Sequence, residues 1–446
     1  MKDLTTGSVT RHIISFSIPM LIGNVFQQLY NVVDSIIVGK YLGKEALASV
    51  GASFPIIFTI IALIIGIGSG ASVVISQYYG AKDLDKVRRA VDTINIFLLF
   101  AGIVISVIGI LSSRWIFGLL QLPPELMDSA LTYLNTYLLG MVVFFGFNAT
   151  SSILRGIGDS KTPLYYLIIA TVVNIFLDLL FVLVFNWGIA GAAWATVISQ
   201  AGAFATAIVH LNRKNQVVRF ALKGLTFDRE IFRQIVRIGL PTGIQHTFVA
   251  LGMMALMGIV NSFGTNVIAA FTAASRIDSL ASLPAMTLSV ALSVFVGQNL
   301  GAGKLERIKS GLKTSLIFAS SISVLMSLVA IFWSVPLMKI FTNDANVITI
   351  GREYLIIVSV FYLLFSTMFV LNGLLRGAGA TLIPMFVTLF SLWLVRIPLA
   401  WLLSRYMGES GIWWSIPIAW CFGVTGAYFY YRFGKWKTKG VIKHQQ

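Results

Sequence analysis

The stretch FPIIFTIIALIIGIGSGASVVISQYYGAKDLDKV, Phe54 to Val87, decides what kind of protein this is. Its first part belongs to an uncharged apolar run over about 50–79, long enough to cross a hydrocarbon layer, which takes about 20 residues of helix. Its last part, Gln77-Tyr-Tyr-Gly-Ala-Lys-Asp-Leu-Asp-Lys-Val, recurs as Gln298-Asn-Leu-Gly-Ala-Gly-Lys-Leu-Glu-Arg-Ile, a shift of 221 residues. Gln, Gly, Ala and Leu are identical in the two copies, and Asp85/Glu306 and Lys86/Arg307 keep their charge. One segment thus reports both a membrane solvent and a duplicated chain.

Comparable runs lie at roughly 12–39, 91–117, 129–154, 162–185 and 189–210. After a polar stretch they resume at 234–262, 270–299, 312–333, 353–375, 381–403 and 411–431. Together these predict an all-α, polytopic fold of twelve transmembrane helices. Strands of a membrane barrel are excluded, because they run about 10 residues and alternate polar with apolar. Composition agrees: 57% of the 446 residues are hydrophobic and 11% charged, against about 25% charged in soluble domains. The first run, close to the start and followed by many others, reads as a retained span rather than a cleaved signal peptide.

The duplication extends beyond the opening motif. Leu154-Arg-Gly-Ile-Gly and Pro163 map onto Leu375-Arg-Gly-Ala-Gly and Pro384, and Arg11 to Pro19 maps onto Arg233 to Pro241. Six spans per half is an even number, so the halves point the same way, related by a pseudo-twofold axis along the membrane normal. The expected division is an N-terminal lobe over 1–211, a cytoplasmic linker over 212–232, and a C-terminal lobe with a basic tail over 233–446. Such a design suits alternating access, in which two bodies rock about a central path.

The net charge of +16 follows topology. Of the 33 Lys and Arg residues, 24 fall in loops on the side of both termini, six on the other side, and three (Arg237, Arg276 and Arg396) within spans. Positive loops stay inside, which puts both termini in the cytoplasm. The basic residues form no aromatic-interleaved patch, so nucleic acid is not an expected partner. The single cysteine, Cys421, excludes an intrachain disulfide framework, and scattered histidines offer no structural metal site. No nucleophile–base pair or phosphate loop appears, so an enzyme is not expected.

Acids inside membranes are costly and carry function by default. Only Asp34, Asp178 and Asp278 fall well within the spans. Asn24, Gln27, Asn31 and Asp34 recur at spacings of three and four, one face of the first helix. Asn174 and Asp178, four apart, share a face of the fifth. Asp34 and Asp178 lie at similar depth, where two carboxylates in one dry site make a proton or cation switch; a structural hydrogen-bonded pair is the competing reading. The repeat maps Asp34 onto Leu256, Asn174 onto Val395 and Asp178 onto Leu399, which assigns coupling to the first half alone.

The second half carries Gln245, His246 and Arg396 as candidates to line a substrate path with Gln27 and Asn31, and Arg276 with Asp278 as an interfacial pair near a span end. His246 reads as a packing residue rather than a metal ligand. Gly66, Gly68 and Gly70 permit close helix contact. Pro19, which cannot donate a backbone hydrogen bond, is the hinge candidate.

Taken together, Ile18-Pro19, the run from Gln27-Gln28 through Asn31 and Asp34 to Gly39, Ala71 to Ala81 with its copy Ala291 to Ala302, and the paired turns at Arg155 and Arg376 resemble the multidrug and toxic compound extrusion (MATE) family. The resemblance implies a two-lobed bacterial exporter of cationic or amphipathic drugs, driven by inward H⁺ or Na⁺, with no cofactor besides that ion. It implies a coupling site at Asp34, Asn174 and Asp178, completed by Tyr133 and Thr196, where Na⁺ is an allowed occupant. No second cation site is expected in the C-terminal half. A monomer in the cell membrane, with lipid and drug-like molecules as its partners, is the expected working form. A lipid or lipid-linked sugar flippase shares the architecture and is the alternative.

Overall fold

The computed structural model describes residues 2–214 and 224–442. Residues 215–223, within the expected linker, and the last four residues lie outside the described part. Helices carry the first half as α1 (Val9–Leu42), α2 (Gly43–Gly80), α3 (Leu84–Leu119), α4 in two pieces (Pro124–Leu139 and Met141–Gly156), α5 (Lys161–Val184) and α6 (Gly188–Lys214). The second half follows with α7 (Arg229–Asn261), α8 (Thr265–Gly301), α9 (Leu305–Phe332), α10 in two pieces (Ala345–Ser359 and Tyr362–Gly377), α11 (Leu382–Met407) and α12 (Glu409–Phe433). Twelve helical passes therefore stand where twelve apolar runs were expected. By length and hydropathy alone 11 of them qualify among the described residues, counting each bent pair as one. The twelfth, α12, carries tryptophans, tyrosines and glycines that lower its hydropathy.

Helix α3 shows why the chain needs lipid. Leu99, Phe100, Ile103, Val107, Ile108, Leu111 and Trp115 are exposed along it, Leu111 by 80%. Ile94, Leu98, Gly102, Ser106 and Phe117 are buried on its other side. The face turned away from protein is thus as apolar as the core, a reversal that water does not tolerate over so large an area.

The chain forms two compact units, Ile18–Gly239 with the first two residues, and Asp3–Ser17 with Leu240–Gln446. These units differ from a division at 211/212 and 232/233, because each half lends its opening turns to the other unit. In the second unit the Leu4 amide donates to Gln298 Oε1 at 3.0 Å, Lys304 Nζ donates to the Thr5 carbonyl at 2.8 Å, and Arg307 Nη1 donates to the Gly7 carbonyl at 2.9 Å. In the first unit Asp228 caps α7, receiving the Ile231 amide at 3.0 Å. Its own amide donates to Thr93 Oγ1 at 3.0 Å, and Tyr78 donates to Gln234 Oε1 at 2.8 Å. The repeated motif, residues 77–87 and 298–308, is therefore a dock: Gln298 and Arg307 come from one copy, Tyr78 from the other. The borders fall just before Pro19 and Pro241, the repeat-related prolines.

Close approach of α2 and α7 uses glycine. A Cβ on Gly239 would sit 2.7 Å from Ile67 Cα, and one on Gly70 would sit 2.4 Å from the Ile235 carbonyl oxygen. Backbones in such contact gain dispersion along their length, which drives helix packing in lipid.

Candidate functional site

In the first unit, α1, α4, α5 and α6 bring together all five residues expected at the coupling site. Asp178 is fully buried, 0% exposed, and Asn174 is 1% exposed, one turn earlier on α5. With its amide turned so that oxygen no longer faces oxygen, Asn174 donates from its nitrogen to Asp178 Oδ2 at 3.0 Å and accepts at its carbonyl from the Thr196 backbone amide at 3.3 Å. Thr196 Oγ1 lies 3.0 Å from the Tyr30 hydroxyl and 3.3 Å from the Ala192 carbonyl. If Thr196 donates along its own helix, as Thr does, Tyr30 donates to Thr196. This chain of polar contacts ties α1 to α6 and α6 to α5.

Asp34 is half-buried on α1, one turn beyond Tyr30. Asp178, Tyr30, Tyr133 and Tyr137 are its electrostatic neighbours. Tyr133 stands near Asp178 as well as Asp34. Asp178 Oδ1 is buried with no partner. No basic side chain forms an ion pair with either acid among the described residues.

Two backbone features position these groups. Helix α1 departs from α geometry over Val38–Leu42 and α5 over Leu180–Val184, π turns that follow Asp34 and Asp178 closely. Insertions of this kind recur at functional sites, because they re-aim side chains and loosen the backbone ladder. The apolar cluster of Ile37, Val38, Val182 and Ala192 clamps both turns. Pro19 is buried inside a continuous helix, so the local irregularity of α1 lies at Val38–Leu42 and not at the proline. The second feature is a 48° bend between the two pieces of α4. It falls at Gly140, beside a small crevice lined by Tyr137, Gly140, Phe144, Thr196, Val197 and Gln200.

Tyr30 and Tyr137 are absent from the sequence reading. Both were signalled: Tyr30 lies four residues before Asp34, and Tyr137 four after Tyr133, hence on shared helix faces.

The substrate-path candidates divide between units. Gln27 is half-buried and Asn31 exposed on α1. In the second unit Gln245 Nε2 donates to Thr388 Oγ1 at 2.7 Å, Trp393 Nε1 donates to the Phe248 carbonyl at 3.1 Å, and Arg396 Nη1 reaches Met253 Sδ at 3.7 Å. Gln245 and Arg396 thus both line the α7–α11 seam. His246 is half-buried with Arg376 as its charged neighbour.

One expectation is corrected. Asp278 is not an interfacial partner of Arg276, which is exposed. Helix α8 begins at Thr265, earlier than the apolar run indicates, so Asp278 lies 13 residues in, roughly 20 Å along the axis. Tyr354 Oη donates to Asp278 Oδ2 at 3.4 Å, and Tyr362 and Arg396 complete its surroundings. The repeat partner of Asp34, Leu256, is buried in the apolar core of this unit.

Comparison with known proteins places this geometry. The MatE family model matches twice, over residues 19–180 and 241–402, one match per half. A probable multidrug resistance protein of Bacillus subtilis, YpnP, is 33% identical, covering 98% of each chain. An FAD transporter of Shewanella oneidensis is 26% identical over 94% of each. The outward-facing structure of a multidrug resistance MATE transporter of the MOP superfamily superposes with a TM-score of 0.90 at 26% identity, covering 98% of this chain and 97% of that one. With both halves matched and the twelve passes superposed, the chain belongs to the MatE family of membrane transporters.

Proposed function

We propose that this protein is a cation-coupled antiporter, driven by H⁺ or Na⁺, that exports lipophilic cationic or amphipathic small molecules by alternating access of its two units. It works in a bacterial cytoplasmic membrane as a monomer with both termini in the cytoplasm, and it converts no bond of its cargo. The relatives' names, multidrug resistance among them, support a small-molecule cargo.

The observation that carries the coupling is Asp178 Oδ1, a buried carboxylate oxygen with no partner, beside a second acid and without a basic residue. A buried carboxylate left unpaired costs several kcal/mol, so the site calls for a proton or a monovalent cation. Asp34, Tyr133 and Thr196 supply oxygen around the same place. Na⁺ fits that donor set, as does a proton shared by the two acids. Ion entry from outside relaxes the contacts that hold α1 to α5 and α6, α1 bends, and the cargo leaves.

One proton exchanged for one monovalent cationic drug moves no net charge, whereas a second proton adds about 2.3 kcal/mol per 100 mV. The test is dye efflux in proteoliposomes under an imposed pH gradient, an imposed Na⁺ gradient and a valinomycin-set potential. Asp178→Asn and Asp34→Asn are expected to abolish gradient-driven efflux. Efflux at the wild-type rate in either variant overturns the mechanism.

A further inference from the structure

The second unit holds a second set of charged groups in its interior. Tyr354 is locked by aromatic contacts, edge-on to Phe271 at 5.8 Å and to Trp413 at 5.0 Å, while Phe271 and Trp413 stack at 5.6 Å. That packing aims its hydroxyl at Asp278. Arg396 stands on α11 as the opposite charge, within electrostatic reach of Asp278 and Tyr354. Yet no ion pair or hydrogen bond joins Arg396 to Asp278 among the described residues. Arg396 Nε is buried without a partner, and Nη1 finds only the thioether of Met253. A guanidinium offers five donors in a fork that matches carboxylate and phosphate; here the described residues offer it a single weak acceptor.

The repeat sharpens the contrast. Tyr354 lies 221 residues after Tyr133, and both are buried on the fourth helix of their half. In the first unit that tyrosine meets an acid on the fifth helix, Asp178; in the second, the corresponding helix α11 brings a base. A fixed positive charge repels a coupling cation and attracts an oxyanion. Asp278 keeps the unliganded site close to neutral, and the separation of the two charges leaves the guanidinium fork unclaimed.

We propose that Arg396 anchors an oxyanion-binding subsite in the second unit, which takes the carboxylate or phosphate group of an amphiphilic cargo, with Asp278 and Tyr354 facing the basic or donor end of the same molecule. The proposal rests on the export reading above and narrows it: amphiphiles bearing both charges are held better than simple cations.

The test uses the full-length protein in detergent and fluorescence polarisation with rhodamine B, which carries a free carboxylate, and its ethyl ester, which does not. Arg396→Gln is expected to weaken rhodamine B by roughly tenfold or more, the worth of a charge-assisted hydrogen bond, and the ester by less than about twofold. Arg396→Lys is expected to fall between. Titration with phosphatidylglycerol and with inorganic phosphate separates the sources: displacement of rhodamine B from wild type by the lipid alone assigns the subsite to a headgroup, and by phosphate to a free anion. Equal binding of both dyes by Arg396→Gln and wild type overturns the proposal, as does equal weakening of both in a variant that still unfolds at the wild-type temperature. Failure of the wild type to bind rhodamine B also sinks it. Loss of gradient-driven efflux tests the export reading separately: if Asp178→Asn still exports while Arg396→Gln loses rhodamine B selectively, the subsite stands and the coupling scheme falls.

Discussion

Tyr133 and Tyr354 occupy the same place in the repeat, and each is buried: Tyr354 donates to Asp278, and Tyr133 stands near Asp34 and Asp178. Their helices are alike in a second respect. The two pieces of α4 meet at 48° and those of α10 at 51°, so a bent fourth helix carries the tyrosine in both halves. The duplication preserved a scaffold for a polar station while the groups around it diverged.

That divergence predicts unequal effects of one substitution. Tyr133→Phe removes a buried phenol that stands near both Asp34 and Asp178. A buried polar group beside two acids bears on which of them is charged, so gradient-driven efflux is expected to fall about tenfold or more, with binding of an esterified dye unchanged. Tyr354→Phe touches neither acid of the coupling site and is expected to weaken cargo binding, with a smaller loss of gradient-driven efflux at saturating dye than Tyr133→Phe. Initial efflux rates of both variants under the same imposed gradient check the difference.

Asn174 predicts a stability effect. It bridges α5 and α6 by giving a donor to Asp178 Oδ2 and an acceptor to the Thr196 amide. Asn174→Ala takes from the Asp178 carboxylate the donor that Asn174 supplies, at a cost of about 1–3 kcal/mol. The midpoint of thermal unfolding in detergent, scanned at one fixed rate, is expected to drop. In the Asp178→Asn background the same change costs less, because a neutral amide has no charge to leave unsatisfied. Equal shifts in the two backgrounds argue against the bridge.

Much of this was legible before the fold. Apolar runs and their count follow from what lipid demands of a backbone, and the duplication is visible as a constant shift. Asp34, Asn174 and Asp178 stood out because an acid in a span is expensive and helical spacing says which neighbours share its face. The pairing of Asp278 with Arg276 fails for a definite reason: α8 extends to Thr265, beyond the apolar run, which sets Asp278 away from the helix end and beside Tyr354. The exchange of opening turns at Ser17 and Gly239 was not legible at all. It depends on Arg307, Lys304 and Gln298 reaching carbonyls and amides some 300 residues away, and nothing local to either segment reports it.

The repeat also predicts a stabilising change. Lys82 sits at φ +62° and Gly303, its partner in the second copy, at φ +71°. Both close the helix that precedes the docking motif, but only glycine adopts this conformation freely; a side chain there costs about 1–2 kcal/mol. Lys82→Gly is expected to raise stability by about 0.5–1 kcal/mol after the added freedom of the unfolded chain is counted, seen as a higher unfolding midpoint with efflux unchanged.

Gly140 joins packing to transport most directly. At the bend of α4, a Cβ on Gly140 would lie 2.5 Å from Val197 Cγ2, a separation no pair of carbons tolerates. Gly140→Ala therefore pushes α4 away from α6, and the crevice walls move with it: Tyr137 on one side, Thr196 on the other. Overpacking of this kind costs about 1–3 kcal/mol, and it carries Tyr133 and Tyr137 away from Asp34. Both the unfolding midpoint and the efflux rate are expected to fall. Val197→Ala deletes the opposing methyl groups, so Gly140→Ala with Val197→Ala is expected to recover a large part of both losses, while Val197→Ala alone opens a void and destabilises. Because the pair is in contact, this non-additivity is the signature sought; if the double variant is as poor as the sum of the singles, the helix spacing at Gly140 is not what sets the geometry of the site.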